Sequence, residues 1–147
     1  MIRAGLIALP IVLLGTFALA HGGATGIVKE RMDQMVSISK AMKTMAKMVK
    51  GEIGYDASTM RTLAAQVSQN GGEALTKLFP KHSMDAPTEA RHEIWQDWDV
   101  FERGAFAMQR AALDLSERAE EQTSAFRLFG ELAGTCKACH DDFRIKK

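Results

Sequence analysis

Two thiols and an imidazole lie close together near the C-terminus, in the run Cys136-Lys137-Ala138-Cys139-His140. The spacing C-x-x-C-H is typical of covalent haem attachment through two thioether bonds. On a helix, residues three apart share a face, so both thiols can reach the two vinyl groups on one edge of a porphyrin. His140 follows directly and is suited to bind the iron as its proximal ligand. We therefore expect one covalently bound haem c.

Other uses of the same thiols are weaker. A structural zinc site needs about four ligands, and the chain has no cysteine besides Cys136 and Cys139. A thioredoxin-like pair expects a βαβ context, which the helical pattern below does not supply. A plain disulfide would leave His140 without a role. A thiol oxidoreductase using the two cysteines remains as a remote hypothesis, and it predicts a colourless protein.

The N-terminal residues predict export. Arg3 precedes an uncharged apolar run over residues 4–20, which ends in the small-x-small sequence Ala18-Leu19-Ala20. The run is shorter than the ~20 residues that span a bilayer, and Pro10 interrupts it. We interpret residues 1–20 as a signal peptide and 21–147 as one exported domain. This predicts a soluble periplasmic protein of Gram-negative type, which fits because c-type haem is attached after export.

Four long segments with helical periodicity follow the signal, and no stretch alternates as a strand would. Gly51 and Gly54 end the first segment, Asp56 or Ser58 caps the second, and 70–72 is a weak point within it. These segments predict an all-α, antiparallel (up-down-up-down) four-helix bundle with Cys136 and His140 on the buried face. The apolar stripes, in chain order, are Val28, Met32, Met35, Ser39, Met42, Ala46 and Val49; Met60, Ala64, Val67, Gly71, Ala74 and Leu78; Ile94, Trp98, Phe101, Ala105, Met108, Ala112, Leu115 and Ala119; and Phe126, Phe129, Ala133, Cys136, His140 and Phe143.

Charge is separated along the chain although the formal net charge is only +1. Residues 24–51 contain six basic and two acidic residues, whereas residues 89–121 contain four basic and nine acidic ones. Four lysines of the first segment stand at helical spacing, which is typical of a solvated helix face. The alternatives are a docking patch for redox partner proteins and attraction between oppositely charged helices of a homodimer. The near-zero net charge gives no support to nucleic-acid binding.

The sequence resembles the cytochrome c′ family over essentially the whole exported chain. The most specific point of resemblance is the C-terminal run from Cys136 to Arg144, in which Asp141, Asp142 and Phe143 follow the haem motif. Two further points support the resemblance: Lys50-Gly51 followed by Tyr55-Asp56, and Glu93-Ile94-Trp95 at the start of the third segment. The resemblance implies a four-helix bundle with one haem c.

The family divides by the residue on the far side of the iron. Cytochrome c′ proper has an apolar residue there, and its five-coordinate iron binds small gases such as nitric oxide. Low-spin members of the cytochrome c-556 type use a methionine of the first helix. Counted back from Lys50-Gly51, the family register puts Met35 at this distal position, with Met32 as the fallback. A thioether is a suitable ligand opposite histidine and raises the reduction potential.

The resemblance also suggests residues around the haem. Arg31 matches a basic residue that the family places near the haem propionates. Arg144 resembles the basic residue that closes the motif; it would cover the proximal imidazole, meet a propionate, or be an ordinary arginine at a helix C-terminus. Phe143 is a candidate for the haem wall. Three histidines are weaker candidates as iron ligands: His21, His82 and His92. Three aromatic residues are expected in the core rather than at the haem: Trp95, Trp98 and Phe101.

The leading hypothesis is a periplasmic electron carrier whose six-coordinate haem is ligated by His140 and Met35. Six-coordination leaves no position for a substrate, so we do not expect an enzyme. The alternative is a five-coordinate cytochrome c′ that binds nitric oxide or carbon monoxide. It requires that Met35 does not hold the iron, or holds it weakly enough to yield.

Overall fold

The computed structural model describes residues 23–84 and 87–146, and within them it is helical. Outside the helices, the described residues form only a one-residue β-bridge between Ala90 and Arg144. The all-α prediction is confirmed, whereas the predicted signal peptide at 1–20 lies outside the described residues. No helix in the described ranges has the length and apolar character needed to cross a membrane. The helices are α1 (Gly26–Val49), α2 (Ala57–Gln69), α3 (Glu73–Thr76), α4 (Glu93–Gln96), α5 (Trp98–Arg118) and α6 (Gln122–Phe143).

The first two helices end and begin where the sequence predicts. At the end of α1, Gly51 adopts a φ of +72°, and the amide of Glu52 donates to the Lys47 carbonyl at 2.9 Å. A left-handed φ costs glycine little, so it ends the helix readily. Asp56 caps α2, because its Oδ1 accepts a hydrogen bond from the Thr59 amide at 2.6 Å. The connection between the helices is therefore short and well defined.

The predicted weak point at 70–72 is a real break between α2 and α3. The Gly72 amide donates to the Ala105 carbonyl of α5 at 3.0 Å. At Gly71, an added Cβ would lie 2.9 Å from the Cα of Gln109. The chain interrupts the helix here because only glycine lets its backbone touch α5.

A second break, at Asp97 between α4 and α5, has no signal in the apolar pattern. Asp97 leaves the helical conformation with φ −110° and ψ 44°, although the spacing of Ile94 and Phe101 continues across it. The indole Nε1 of Trp95 donates to the Phe79 carbonyl at 3.0 Å, which ties α4 to the chain that follows α3. The four predicted segments are thus six helices, and two of the segments are interrupted.

The core confirms the stripe of α5 and corrects those of α1 and α6. Helix α5 packs against α2 and α6, and its predicted apolar residues are buried apart from the half-buried Trp98. On α1, by contrast, the predicted stripe residues Met32, Met35 and Met42 are only half-buried. They are not core because they line a cavity between α1 and α6. The residues of α1 that are buried are Val28, Arg31, Ile38, Ala41, Met45 and Met48.

Candidate haem-binding site

A cavity of about 560 Å³ lies between α1, α5, α6 and residues 88–90. Its volume falls within the range of about 300–1,000 Å³ that is usual for ligand and cofactor sites. Most of its lining is apolar. From α1 come Arg31, Met32, Met35, Val36, Ile38, Ser39 and Met42; from α5 and α6 come Phe101, Gly104, Ala105, Met108, Ala133, Thr135, Cys136, Cys139, His140 and Phe143.

The wall formed by α6 carries the haem motif. Cys136 and Cys139 are half-buried free thiols, and His140 stands beside them. The structure therefore brings the three residues together in one cavity, as the sequence predicts. His140 is expected on the buried face of α6, and it lies on the cavity wall, where the chain leaves it exposed rather than packed in the core. Helix α6 is rotated so that Leu128 and Leu132 fill the core, which leaves His140 on the flank of the helix.

Both thiols are poor nucleophiles in this setting. Burial, with a smaller contribution from the charges of Cys136 and Asp142, raises the pKa of Cys139 to about 11. Burial also raises the pKa of Cys136. Because the thiolate is the reactive form in disulfide exchange, this environment counts against a thiol oxidoreductase. The described residues also contain no cluster of three or more acidic, histidine or cysteine side chains that could hold a metal ion.

The imidazole of His140 is suited to metal ligation. Partial burial and the neighbouring Arg144 guanidinium lower the pKa of His140, so the neutral form that binds iron is favoured. Arg144 is itself held by Glu89, with Nε 2.8 Å from Oε2. Its position beside the ring supports the prediction that it covers the proximal imidazole.

The opposite wall, formed by α1, offers thioethers. Met32, Met35 and Met42 all line the cavity and are half-buried, so Met35 shares a cavity with His140, and its role as the distal ligand stays a prediction. The described histidines His82 and His92 are exposed and are not among the cavity residues. The remaining candidate, His21, lies outside the described residues.

Arg31 sits at the edge of this wall and is only 3% exposed. Its Nη2 donates to the Ser83 carbonyl at 2.7 Å and to the Thr88 hydroxyl at 2.8 Å, and its Nη1 donates to the Ser83 hydroxyl at 3.1 Å. The guanidinium carbon lies 4.9 Å from the centre of the Phe79 ring. Arg31 thus ties α1 to the loop before α4, and its predicted place near the propionates stays a prediction.

Phe143 is buried and lines the cavity, in agreement with its predicted place in the haem wall. Its ring meets that of Phe101 edge to face, with centroids 5.5 Å apart. Phe101 therefore belongs both to the core, as predicted, and to the cavity wall.

The position of residues 88–90 at one side of the cavity could not be anticipated from the sequence pattern. The Ile145 amide donates to the Glu89 carbonyl at 2.8 Å, and the Arg91 amide donates to the Phe143 carbonyl at 2.9 Å. These bonds join parts of the chain more than fifty residues apart. The only available signal was Pro87, which marks a loop without showing where that loop packs.

The residues present fit a haem c. One wall carries two thiols and an imidazole at the motif spacing, the other carries thioethers, and the space between them is large and mostly apolar. This combination of soft sulfur and imidazole donors around an apolar volume matches haem ligation.

Comparisons with known proteins give the same result. The family model described as Cytochrome C′ matches residues 26–144. Cytochrome c′ of Rhodopseudomonas palustris is 31% identical over 139 residues, covering 93% of this chain and 92% of the relative. Cytochrome c-556 of Agrobacterium tumefaciens is 29% identical over 118 residues, covering 80% and 93%. The solved nitric oxide complex of a mutant cytochrome c prime from Alcaligenes xylosoxidans superimposes with a TM-score of 0.74 at 28% identity, covering 82% of this chain and 94% of that one.

Since cytochromes c′ are typically five-coordinate, these matches favour the gas-binding alternative over the His140/Met35 electron carrier. With the motif, the cavity and the matched length of chain in agreement, the protein belongs to the cytochrome c′ family.

Proposed function

We propose that the protein binds one haem c and is a five-coordinate cytochrome c′ that takes nitric oxide or carbon monoxide. The observation that carries this proposal is the composition of the α1 wall. Among the described residues of α1 that line the cavity, none is a histidine or a lysine. They are three methionines, Val36 and Ile38, together with Ser39 and the hydrogen-bonded Arg31. To an iron held by His140, the α1 wall would therefore offer no ligand stronger than a neutral thioether.

Each residue of the α6 wall has a defined task in this proposal. Cys136 and Cys139 would hold the haem covalently on α6 through two thioether bonds. His140 donates its neutral imidazole to the iron, and Arg144, held by Glu89, keeps its place beside that ring. Haem iron supplies a one-electron couple and a position at which diatomic gases bind.

The apolar wall also serves gas binding. Met32, Met35 and Ile38 give the α1 wall side chains that have no O–H or N–H donor. Its polar members are Ser39 and Arg31, and the Arg31 guanidinium is already bonded to Ser83 and Thr88. Such a wall favours small neutral ligands over water or anions. The solved relative in complex with nitric oxide supports extending this ligand to the present chain.

A second candidate function, electron carriage on a six-coordinate haem, is favoured by Met35. Its thioether belongs to the cavity wall opposite His140, and the family register assigns it the distal position. Similar proteins named cytochrome c-556 support this candidate. In either case no substrate chemistry is implied, and we propose that the protein is not an enzyme.

The visible absorption spectrum of the purified ferrous protein decides between the two functions. A broad high-spin spectrum, unchanged in Met35→Ala, supports the five-coordinate protein. Sharp low-spin bands that become broad in Met35→Ala, and not in the matched cavity variant Met42→Ala, support the electron carrier. If Met32→Ala alone produces that change, Met32 is the ligand. Carbon monoxide titration adds an independent measurement, because loss of a sixth ligand should raise the affinity.

Location and partners complete the proposal. The N-terminal segment 1–20 supports export to the periplasm, where haem is attached. Haem staining of a denaturing gel tests covalent attachment, because only thioether-linked haem survives. A colourless band would overturn the haem proposal and return the thiol oxidoreductase to consideration. A homodimer stays a prediction.

A further inference from the structure

One face of α1 carries four lysines, of which only the last has an acidic partner among the described residues. We call Lys40, Lys43, Lys47 and Lys50 the lysine face; all four are exposed. Only Lys50 makes an ion pair with a described residue, at 3.9 Å from Glu52. Residues 34–51 contain no aspartate or glutamate. The positive charge on this face is therefore not neutralised locally by the described part of the chain.

The lysine face leads to the mouth of the cavity. Val36 stands on the same side of the helix, four residues before Lys40 and seven before Lys43, a spacing that places them in one row. At 1.5 Å per residue, Lys40 lies about 6 Å and Lys43 about 10 Å from Val36 along the axis. Val36 lines the cavity and is 42% exposed. An exposed apolar residue at the cavity edge is thus continued by a row of cations.

We propose that the lysine face and Val36 form the docking site for an acidic surface of a redox protein that exchanges electrons with the haem. This inference rests on the haem of the proposed function. In the exchange, the reduced partner gives up one electron and ferric iron becomes ferrous; no bond forms or breaks and no proton moves. Val36, an exposed residue of the cavity lining, provides the apolar contact beside the cofactor site, and the lysines orient the partner.

Charge and size favour a transient protein complex. Complementary charge raises association rates by 10- to 1,000-fold without requiring tight binding, and electron-transfer encounters have small interfaces. A row from Val36 to Lys50 spans about 21 Å, which suits a small interface. A carrier must also release its partner after transfer, and solvated lysines make contacts that break easily.

A second copy of this chain is a poorer occupant. Its acidic part would have to be the region 89–121, but several carboxylates there are already paired within the chain. Arg91 binds Glu93, Arg118 binds Asp114 at 3.0 Å, and Arg61 binds Glu120. Docking of the lysine face against this region would compete with those pairs.

The test uses the haem-containing protein and a reduced acidic flavodoxin as the probe. Stopped-flow absorbance measures the second-order rate of haem reduction at about 20 and about 200 mM salt. We expect the rate of the unchanged protein to fall about tenfold between these conditions. The variant Lys43→Glu/Lys47→Glu should lose at least about tenfold in rate at low salt and should lose the salt dependence.

The matched control is Lys77→Glu/Arg110→Glu, which changes the net charge equally at exposed positions outside the lysine face. It should keep the rate within about threefold. Equal losses in both variants would mean that only net charge matters, and would overturn the docking site. The same holds if sedimentation shows that Lys43→Glu/Lys47→Glu dissociates a homodimer while the rate is unchanged, since the occupant would then be a second copy.

A separate measurement shows whether the haem proposal itself has failed. The visible spectrum and haem stain of each variant report whether the cofactor is present. If the protein proves colourless, calorimetric binding of oxidised flavodoxin still tests the lysine face, because binding needs no electron transfer. Binding that is equal in the unchanged protein and in Lys43→Glu/Lys47→Glu would overturn the docking site.

Discussion

At the scale of single residues, Arg31 shows how a buried charge organises the site. It is the only charged residue that is buried among the described ones, and burying a charge is costly unless it is hydrogen-bonded. Its bonds to Ser83 and Thr88 meet this requirement and fix the loop before α4 against α1. That loop leads directly to residues 88–90, which close the cavity.

Arg31→Met should therefore destabilise the protein. The variant keeps much of the apolar stem but removes three charge-assisted hydrogen bonds, so we expect a loss of about 2 kcal/mol or more in the free energy of unfolding. Urea denaturation measures it. Lys29→Met on the same helix removes only an exposed ion pair with Asp33 and should cost about 1 kcal/mol or less. If Arg31→Met instead shifts the reduction potential without a change in stability, its main contact is with a propionate.

Site residues that are close together in the sequence could be predicted, whereas those that meet only through the fold could not. Cys136, Cys139 and His140 are adjacent in the chain, so a local motif was enough to place them together. Met35 could be placed only through the register of the family, because five of the nine methionines lie on α1 and apolar spacing alone does not separate a ligand from packing. That Thr88 and Glu89 line the cavity could not be predicted, because it depends on hydrogen bonds between this loop and the distant end of α6.

At the scale of elements, the two glycines between α2 and α3 set how closely α2 approaches α5. A methyl group at Gly71 would meet the Gln109 backbone at 2.9 Å, and backbone cannot move aside as a flexible side chain can. The Ser68 hydroxyl, one turn earlier, donates to the Gln109 carbonyl at 3.2 Å. The contact is therefore both tight and hydrogen-bonded.

Gly71→Ala should force these helices apart and lower the free energy of unfolding by about 1–3 kcal/mol. Gly130→Ala is the matched control: Gly130 lies within α6, and an added Cβ meets nothing within 4 Å. There the substitution should raise stability by about 0.5–1 kcal/mol, because alanine favours the helix. Thermal unfolding of both variants compares them directly. A neutral Gly71→Ala would show that the contact is looser than the structure indicates.

Tyr55, just before α2, contacts the end of α5 and the beginning of α6. Its hydroxyl donates to the Ala119 carbonyl, and its ring meets Phe126 edge to face at 5.6 Å. Burial raises the pKa of Tyr55 above 10.0. Since the folded pKa lies above the unfolded one, the protonated hydroxyl stabilises the fold below about pH 10, and this contribution is lost as the pH rises through the folded pKa.

Tyr55→Phe keeps the ring contact and removes the hydrogen bond, at a cost of about 1 kcal/mol near pH 8. The difference in unfolding free energy between the two proteins should shrink at pH 11, because only the unchanged protein has a phenol to ionise. Tyr55 is the only tyrosine, and lysine titration is common to both proteins and cancels. A difference that is constant with pH would show that the hydroxyl is equally ionisable in both states.

The helices themselves were predictable where the apolar spacing agreed with the residues that end or cap a helix. Gly51 and Asp56 end α1 and begin α2 as the sequence indicates, and the break at 70–72 was visible in its glycines. The break at Asp97 was not visible, because the apolar residues keep their spacing across it. The same segment is tied to a distant part of the chain by the hydrogen bond from Trp95 to the Phe79 carbonyl. The stripes of α1 and α6 were read as core because a residue that faces a cofactor cavity and one that faces another helix are equally apolar.

At the scale of the whole molecule, the cavity makes the bundle depend on its cofactor. The walls of the cavity of about 560 Å³ are mostly apolar, and apolar surface left in contact with water costs about 25 cal/mol per Å². An occupant that covers these walls therefore stabilises the bundle. A chain that cannot attach haem is therefore expected to lose its fixed packing around α1 and α6.

The variant Cys136→Ala/Cys139→Ala tests this dependence. Without thioether attachment, we expect the chain to keep most of its helical far-UV signal while its near-UV signal weakens and it binds a dye for exposed apolar surface, as compact states without fixed packing do. Its thermal transition should become broad and shift down by more than about 10 °C. Met42→Ala, which removes one cavity side chain and leaves both thiols, should keep the haem and a cooperative transition. A double-cysteine variant that unfolds as sharply as the haem-containing protein would show that α2, α5 and α6 hold the bundle together without any contribution from the occupied cavity.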